Sequence, residues 1–404
     1  MSYKTYFLPV NQYCIQVTDG THDSPKPVSA GKYLITSKHL SRYKLDFNSA
    51  YKISLDDYNK IIERSNVEQY DILYSMIGTI GNIYQEMSPN IDYAVKNVAI
   101  FKCNDYYKSK WLYYYLQTPI AKEYIYSNIK GSTQRYISLQ ELRKMPIMCL
   151  NDNSVRNKIV DILVSQDSKI AINLTKIEYL ESIVQGVYDN LFTDFNYSNN
   201  ATNIENSIPV DWIYSNVFNN ITEVREKNTS NFDYPVLSVV KEGEFKLSDD
   251  VFTKQVYSKK TTNYKIVRRN QVAYNPARAN IGSIAMLTDF DVGLVSPIYV
   301  VFKMKETITP TFFYYYMKQP MFLKNIKHHA IGTTRQNFPF EAFKMFNMVV
   351  PPMELQLRFE EIAKPIEQKI AKLKEENDVL AEIRDTLLPK LINGELPVEV
   401  GEGQ

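Results

Sequence analysis

Cysteine is scarce: three in 404 residues, Cys14, Cys103 and Cys149. An odd, widely spaced set without a CxxC pair excludes a disulfide framework and a zinc knuckle, and fits a reducing compartment. Glycine (13) and proline (18) are also few, which excludes a collagenous or low-complexity chain. With 44% hydrophobic residues, the sequence reads as a folded protein long enough for two or three cores. No apolar run approaches the roughly 20 residues needed to cross a bilayer. The opening MSYKTYFLPVNQY has no apolar signal-peptide core. A cytoplasmic protein with no membrane contact is expected. The net charge is only +2, so bulk charge does not mark a nucleic-acid binder. Local charge is uneven. The run through Lys254, Lys259, Lys260, Lys265, Arg268, Arg269 and Arg278 holds no acid, whereas acids outnumber bases from Glu354 onward. By itself that pattern fits ordinary surface solvation equally well.

What the chain does have is a repeat. GSTQRYISL begins at Gly131 and GTTRQNFPF at Gly332, an offset of 201 positions. At that offset WLYYYLQTP from Trp111 falls on FFYYYMKQP from Phe312, Gly81 on Gly282, and Tyr33 on Tyr234. At an offset of 200, Leu180 falls on Leu380, Ile183 on Ile383 and Leu191 on Leu391. The period is far longer than a solenoid repeat, so each copy is a whole domain with a helical tail. DYAVKNVAIFKC and SPIYVVFKM read as strands, dense in β-branched and aromatic residues. SKWLYYYLQTPIAKEYIYS and TPTFFYYYMKQPMFLKNI read as short helices, with Ser109 and Thr309 as caps and Pro310 at a first helical position.

In the tails, apolar residues recur at threes and fours, through Ile159, Ile170, Ile177 and Val184 and again through Phe359, Ile370, Leu373 and Leu387. That is the seam of a coiled coil. Asn173 and Asn377 interrupt the seams, and a buried Asn can fix register. Pro365 should kink or split the second tail near its start. The linker near Thr193–Pro209 is short, so the second helix must run back along the first to bury its seam. The expected fold class is α+β: two similar α/β domains separated by an antiparallel two-helix coiled coil, with pseudo-twofold symmetry. Helices of about 38 residues would span roughly 57 Å. Two heads on a rigid spacer suit a target with local dyads, such as duplex DNA.

Chemistry is absent by the same reading. There is no P-loop, no glycine-rich turn with a downstream acid, and no acidic cluster beside a lysine. NPAR at Asn275 has part of an amino-methyltransferase motif, but Ala277 and Arg278 replace its second proline and its aromatic. His328 and His329 are adjacent and have no third ligand nearby. No metal, cofactor or catalytic residue is expected in this chain.

Four stretches carry a family resemblance: IRDTLLPKLINGELPV from Ile383, DGTHDSPKP from Asp19, GTIGN from Gly78 and GTTRQNF from Gly332. With the repeat, they make the chain resemble, over essentially its full length, the specificity subunit of Type I restriction-modification systems. The resemblance implies a target-recognition domain at 1–150, a spacer helix at 151–195, a second recognition domain at 196–350, and a second spacer helix with the C-terminal tail at 351–404. It implies a non-catalytic subunit that binds double-stranded DNA. Each domain would read one half of a bipartite, asymmetric site. Two modification subunits would methylate adenine with S-adenosylmethionine, which they and not this chain would hold. Restriction subunits that translocate DNA would join for cleavage. The alternative class is a coiled-coil adaptor whose two heads bind proteins and have no DNA specificity.

Candidate DNA contacts follow from side-chain chemistry. Arg, Lys, Asn and Gln read base edges; Lys, Arg, Ser, Thr and backbone amides hold phosphates. In the first domain the candidates are Lys38, Thr79, Ser132, Thr133, Gln134, Arg135 and Tyr136. In the second they are Lys259, Lys260, Arg278, Thr333, Thr334, Arg335, Gln336 and Asn337. A phrase shared by both copies suits scaffold or phosphate contact better than base reading. Gln134 opposite Arg335 and Tyr136 opposite Asn337 differ between copies and are the better base readers. Arg278 has no counterpart in the first copy and suits half-site-specific reading, or a turn-stabilising role. Lys38, Lys259 and Lys260 suit phosphates or plain solvation.

Overall fold

The computed structural model describes residues 3–132, 134–194, 204–205, 208–209, 211–251, 261–330 and 337–398. It divides into two units, Met1–Leu174 with Glu375–Gln404, and Thr175–Lys374.

In the first unit, Gln16–Asp19, Val98–Lys102, Ile72–Ser75 and Ile83–Gln85 form an antiparallel sheet in that spatial order. Val98–Lys102 and Ile72–Ser75 are buried at every residue, which is why their sequences are nearly unbroken apolar runs. A smaller sheet joins Lys52–Ile53, Lys32–Thr36 and Tyr93–Lys96, the last pair parallel. Thr5–Pro9 pairs with Pro146–Leu150 at the entry to the long helix.

The second unit repeats this order. Ile221–Val224, Val300–Met304, Val272–Tyr274 and Ile284–Met286 form its four-stranded sheet. Ile213–Asn216 pairs with Asn347–Val350, and Val236 makes a parallel bridge to Leu294. The repeated sequence is a repeated fold.

The short helices are Tyr106–Tyr115 and Pro119–Ser127 in one unit, Pro310–Lys318 and Pro320–His329 in the other. Thr309 caps as expected: its hydroxyl accepts the Phe312 amide at 3.1 Å, with Pro310 in the first turn. Ser109 does not cap. Asp105 does, accepting the Lys108 amide at 2.7 Å. Ser109 lies one turn further in, buried, where its hydroxyl donates to the Tyr70 carbonyl and accepts from Gln85 Nε2. A serine with two tertiary partners is worth more in the core than at a helix end.

The long helices are Asn153–Tyr188 and Met353–Ile392. In the first unit Val155, Ile159, Val160 and Leu163 share a core with Leu388, Leu391 and Ile392. The start of one helix therefore lies beside the end of the other. In the second unit Val184 and Tyr188 pack with Leu355, Phe359 and Ala363, and Ile177 with Ile370 and Leu373. Both halves of the seam are antiparallel, and the fold is α+β with two similar α/β domains.

Pro365 does not split its helix, which runs unbroken from Met353 to Ile392. The ring costs a hydrogen bond, about 3 kcal/mol, but Phe359, Ala363, Ile370 and Leu373 are buried on either side and hold the turn in place. Asn173 Nδ2 donates to Asn377 Oδ1 at 3.0 Å and to Glu376 Oε2 at 2.9 Å, with both asparagines buried. Asn377→Leu is expected to destabilise the first unit by about 1–3 kcal/mol, because it removes one of the two acceptors of the buried Asn173 amide. A double Asn173→Leu, Asn377→Leu variant should recover most of that loss in urea titrations. Equal losses in both variants would contradict a pairwise role. Among the described residues no helix is long and apolar enough to cross a membrane.

Candidate nucleic-acid interface

In the first unit three segments far apart in sequence meet at one end of the four-stranded sheet. Strand Ile72–Ser75 runs into the turn Gly78–Asn82. Ser75 closes that turn: its amide donates to the Asn82 carbonyl at 2.9 Å, its hydroxyl donates to the Thr79 carbonyl at 2.6 Å, and the Asn82 amide donates to that hydroxyl at 2.7 Å. The turn is stitched to the repeated phrase. The Gly78 amide donates to the Arg135 carbonyl at 3.0 Å, and the Ile137 amide to the Met76 carbonyl at 2.9 Å. Within the phrase Lys130 and Tyr136 exchange both backbone bonds. Gly131 has φ +90°, and a Cβ there would lie 2.3 Å from the Gln134 carbonyl, so only glycine closes this loop. Third, Asn82 Nδ2 donates to the Ser37 carbonyl at 3.2 Å, which ties in the turn carrying Lys38. That turn is held by His39, whose Nδ1 accepts the Thr36 amide at 2.9 Å. Burial and the neighbouring Lys38 hold His39 below its ordinary pKa, so it stays neutral and available as an acceptor.

Lys38, Thr79, Ser132, Gln134, Arg135 and Tyr136 are thereby gathered on one exposed junction. Lys38, Lys130 and Arg135 have no acidic partner among the described residues. Free cations, amide side chains, hydroxyls and backbone N–H groups on an open rim are the set that holds phosphates and reads base edges.

The second unit makes the same junction from different residues. The Asn275 amide donates to the Ser283 carbonyl at 3.2 Å, where the first unit pairs Ser75 with Asn82. The Phe338 amide donates to the Pro276 carbonyl at 2.9 Å, as Ile137 does to Met76. Ser283 Oγ donates to the Val239 carbonyl at 2.7 Å, as Asn82 does to Ser37. A Cβ on Gly282, at φ +100°, would lie 2.3 Å from the Lys241 carbonyl, so the two loops touch only because this residue is glycine. Arg278 and Asn337 are exposed on this junction, and Arg278 has no side-chain partner among the described residues. Thr133, Lys259, Lys260, Thr333, Thr334, Arg335 and Gln336 lie outside the described residues.

His22, expected from its type to hold a local turn or donate to a phosphate, sits between Asp19 (3.0 Å) and Asn97 (2.7 Å). Arg64, which escaped sequence reasoning, donates to the carbonyls of Gly20 and Asp19 at 2.9 and 3.3 Å. Together they shape the DGTHD loop beside Ser37, whose hydroxyl reaches the Asn97 carbonyl. Lys130 and Lys241 add cations. Lys241 follows the second unit's counterpart of the strand that precedes Lys38, the one signal that could have found it. Among the described residues no group of three or more His, Cys, Asp or Glu could hold a metal ion.

Residues 27–182 match the family model for the Type I restriction modification DNA specificity domain. The chain is 26% identical to the Type I restriction enzyme MjaIX specificity subunit of Methanocaldococcus jannaschii over 311 residues, 72% of this chain and 70% of the relative. It is 36% identical to the Type I restriction enzyme HindI specificity subunit of Haemophilus influenzae over 86 residues, 21% of this chain and 19% of the relative. Its fold resembles that of a Type-I restriction-modification system S subunit from M. genitalium, with a TM-score of 0.53 at 14% identity, covering 98% of this chain and 97% of that one. The chain matches a Type I restriction modification DNA specificity domain over residues 27–182, and its likeness to a specificity subunit of such a system extends over 72% of its length.

Proposed function

We propose that this chain is a non-catalytic specificity subunit that reads a bipartite, asymmetric site on double-stranded DNA, one half with each unit's junction. The observation that carries the reading is the repeated junction: the same backbone bonds in both units present different exposed side chains, Lys38, Gln134, Arg135 and Tyr136 in one and Lys241, Arg278 and Asn337 in the other. A shared frame with unlike readers is what two unlike half-sites need. Exchanging residues 1–150 for the first recognition domain of another specificity subunit should change one half of the methylated sequence and leave the other. Single-molecule methylome sequencing reads the result; a change in both halves would contradict the division.

The modification subunits would supply the chemistry, with S-adenosylmethionine bound to them, and restriction subunits that translocate DNA would join for cleavage. One exposed apolar pair at helical i, i+4 spacing recurs in both units: Val379 and Ile383 in the first, Tyr179 and Ile183 in the second, 51%, 42%, 67% and 51% exposed. The pairs stand at equivalent positions of the repeat, which suits two copies of one partner. Val379→Asp with Ile383→Asp should leave a complex with one modification subunit instead of two by native mass spectrometry. Retention of both would rule these residues out as a docking site.

An adaptor that binds only proteins is the competing class. A DNA reader binds its specific duplex with an affinity that falls steeply with salt, as counterions are released from neutralised phosphates. A flat salt dependence and no sequence preference in the assembled complex would favour the adaptor.

A further inference from the structure

The first unit also holds a concave site, apart from the junction. It is a pocket of about 240 Å³ between the Thr5–Pro9 strand, the start of helix Tyr106–Tyr115 and the start of the first long helix. At roughly 30 Å³ per water it has room for about eight waters. Two cations, Lys108 and Arg156, face it; Tyr6, Leu8, Trp111 and Leu150 wall it; Gln12 and Asn153 add amides. Neither cation has an acidic partner among the described residues. Arg156 reaches only the neighbouring Asn157 Oδ1, at 2.9 and 3.1 Å, and Lys108 lies 5.9 Å from the centre of the Tyr13 ring. Asp105 and Asp152, the acids nearby in sequence, are committed to turn and capping bonds with Lys108 N and with Ser154. Cys149 also lines the pocket. Burial pushes its thiol up to about 11, while Arg156 and Lys108 pull the other way, so both positive charges are felt inside.

The repeat supplies a control. The second unit places Gln356 where the first has Arg156, and Gln356 fills its site. It is fully buried, accepting the Thr309 amide at 2.8 Å and donating to the carbonyls of Thr307 and Pro351 at 3.1 and 2.9 Å. The fold can therefore close this position with a glutamine. The first unit instead leaves it open and lines it with two unneutralised cations. The pocket is also remote from the reading junction. The junction leaves the sheet at Ser75, paired with Val98, whereas Lys108 follows the opposite, Lys102 end of that strand. Five residues of strand separate the two ends by roughly 16 Å.

We propose that this pocket binds a carboxylate borne on a short aliphatic stem, with Arg156 and Lys108 gripping the charged end and Tyr6, Leu8 and Trp111 the stem. An arginine fork matches a carboxylate in two parallel hydrogen bonds, and the apolar part of a mostly polar wall, Leu8, Trp111 and Leu150, gives a short carbon stem a surface to lie on. The claim does not depend on the DNA-reading proposal.

The test uses the full chain labelled with 5-fluorotryptophan, since its two tryptophans lie in different places. Trp111 is on the pocket wall and Trp212 in the other unit. Titrated glutarate should move the Trp111 fluorine resonance saturably and leave Trp212 unmoved. Arg156→Gln, which installs the second unit's residue, and Lys108→Ala, at an exposed position, should each weaken glutarate at least tenfold with unchanged melting temperature. If Arg156→Gln impairs folding, Lys108→Ala carries the test alone. No saturable shift, undiminished binding by the variants, or tighter binding of inorganic phosphate than of glutarate would each overturn the assignment. Repeating the titration after assembly with modification subunits separates the sources. A Trp111 signal already shifted and no longer responsive marks a partner's acidic side chain or terminus; a preserved response marks a small carboxylate.

Discussion

Arg384→Ala is expected to cost the first unit about 3–5 kcal/mol of stability, because it takes the nearest cation away from a buried carboxylate and leaves only the more distant Arg42. Arg384 Nη1 donates to Asp167 Oδ1 at 2.8 Å and to the Tyr43 hydroxyl at 2.6 Å. Asp167 also accepts from the hydroxyls of Tyr43 and Tyr114, at 3.1 and 2.9 Å, and lies 3.6 Å from Arg42. The two side chains are 5% and 12% exposed, so water cannot replace the lost partner. The network joins the head, through Tyr43 and Tyr114, to both long helices, and Arg384 comes from the C-terminal phrase that carried the family resemblance. Urea denaturation of the full chain measures the loss. A companion Asp167→Leu, Arg384→Met variant should lose much less, since removing both charges leaves none unpaired. A loss below about 1 kcal/mol for Arg384→Ala would show that the pair is effectively solvated.

The second unit solves the equivalent position differently, and the difference should be visible in pH. Tyr315, the repeat partner of Tyr114, hydrogen-bonds Glu367, and no arginine pairs with that carboxyl among the described residues. Burial raises the Glu367 pKa above its ordinary value of 4.5, with the Tyr315 bond and Lys318 opposing it. A carboxyl with a raised folded-state pKa stabilises the fold below its unfolded pKa, and that contribution is lost as pH rises through the folded value. Glu367→Gln should therefore flatten the fall in stability of the chain above pH 4.5. An unchanged slope would place the pH dependence elsewhere.

The second large effect is on recognition. Arg278→Ala should relax the base requirement in one half of the target by about 1–3 kcal/mol, or roughly 5- to 150-fold, the discrimination of one good bidentate contact. Because Arg278 is exposed and its side chain has no partner among the described residues, its melting temperature should not change. Methylome sequencing of the assembled complex gives the readout. Relaxation in both halves would contradict half-site reading. A uniform drop in affinity with a shallower salt slope would reassign Arg278 to a phosphate.

Patterns confined to one element were legible in advance. The seam of threes and fours marked both long helices, and Thr309 before Pro310 marked a helix start, because caps and seams depend on residues a turn or two apart. Ser109 misled because its partners, Tyr70 and Gln85, are remote in sequence. Pro365 misled because the local cost of proline was weighed without the burial on either side of it. The junction loops were visible as glycine phrases at Gly78 and Gly131. Nothing in either phrase said that the Gly78 amide would find the Arg135 carbonyl, since a backbone bond leaves no trace in side-chain identity.

The sequence alone determined the duplication, the helical tails and the kind of family the chain resembles, because repetition and periodicity are properties of a linear string. The tertiary structure decided which exposed side chains share a surface, that Asn173 faces Asn377, that Asp167 pairs with Arg384 while Glu367 has no arginine partner among the described residues, and that one copy keeps open a cationic pocket which Gln356 closes in the other. Those are contacts across tens to hundreds of residues, and their strength depends on burial, which only the packed chain defines.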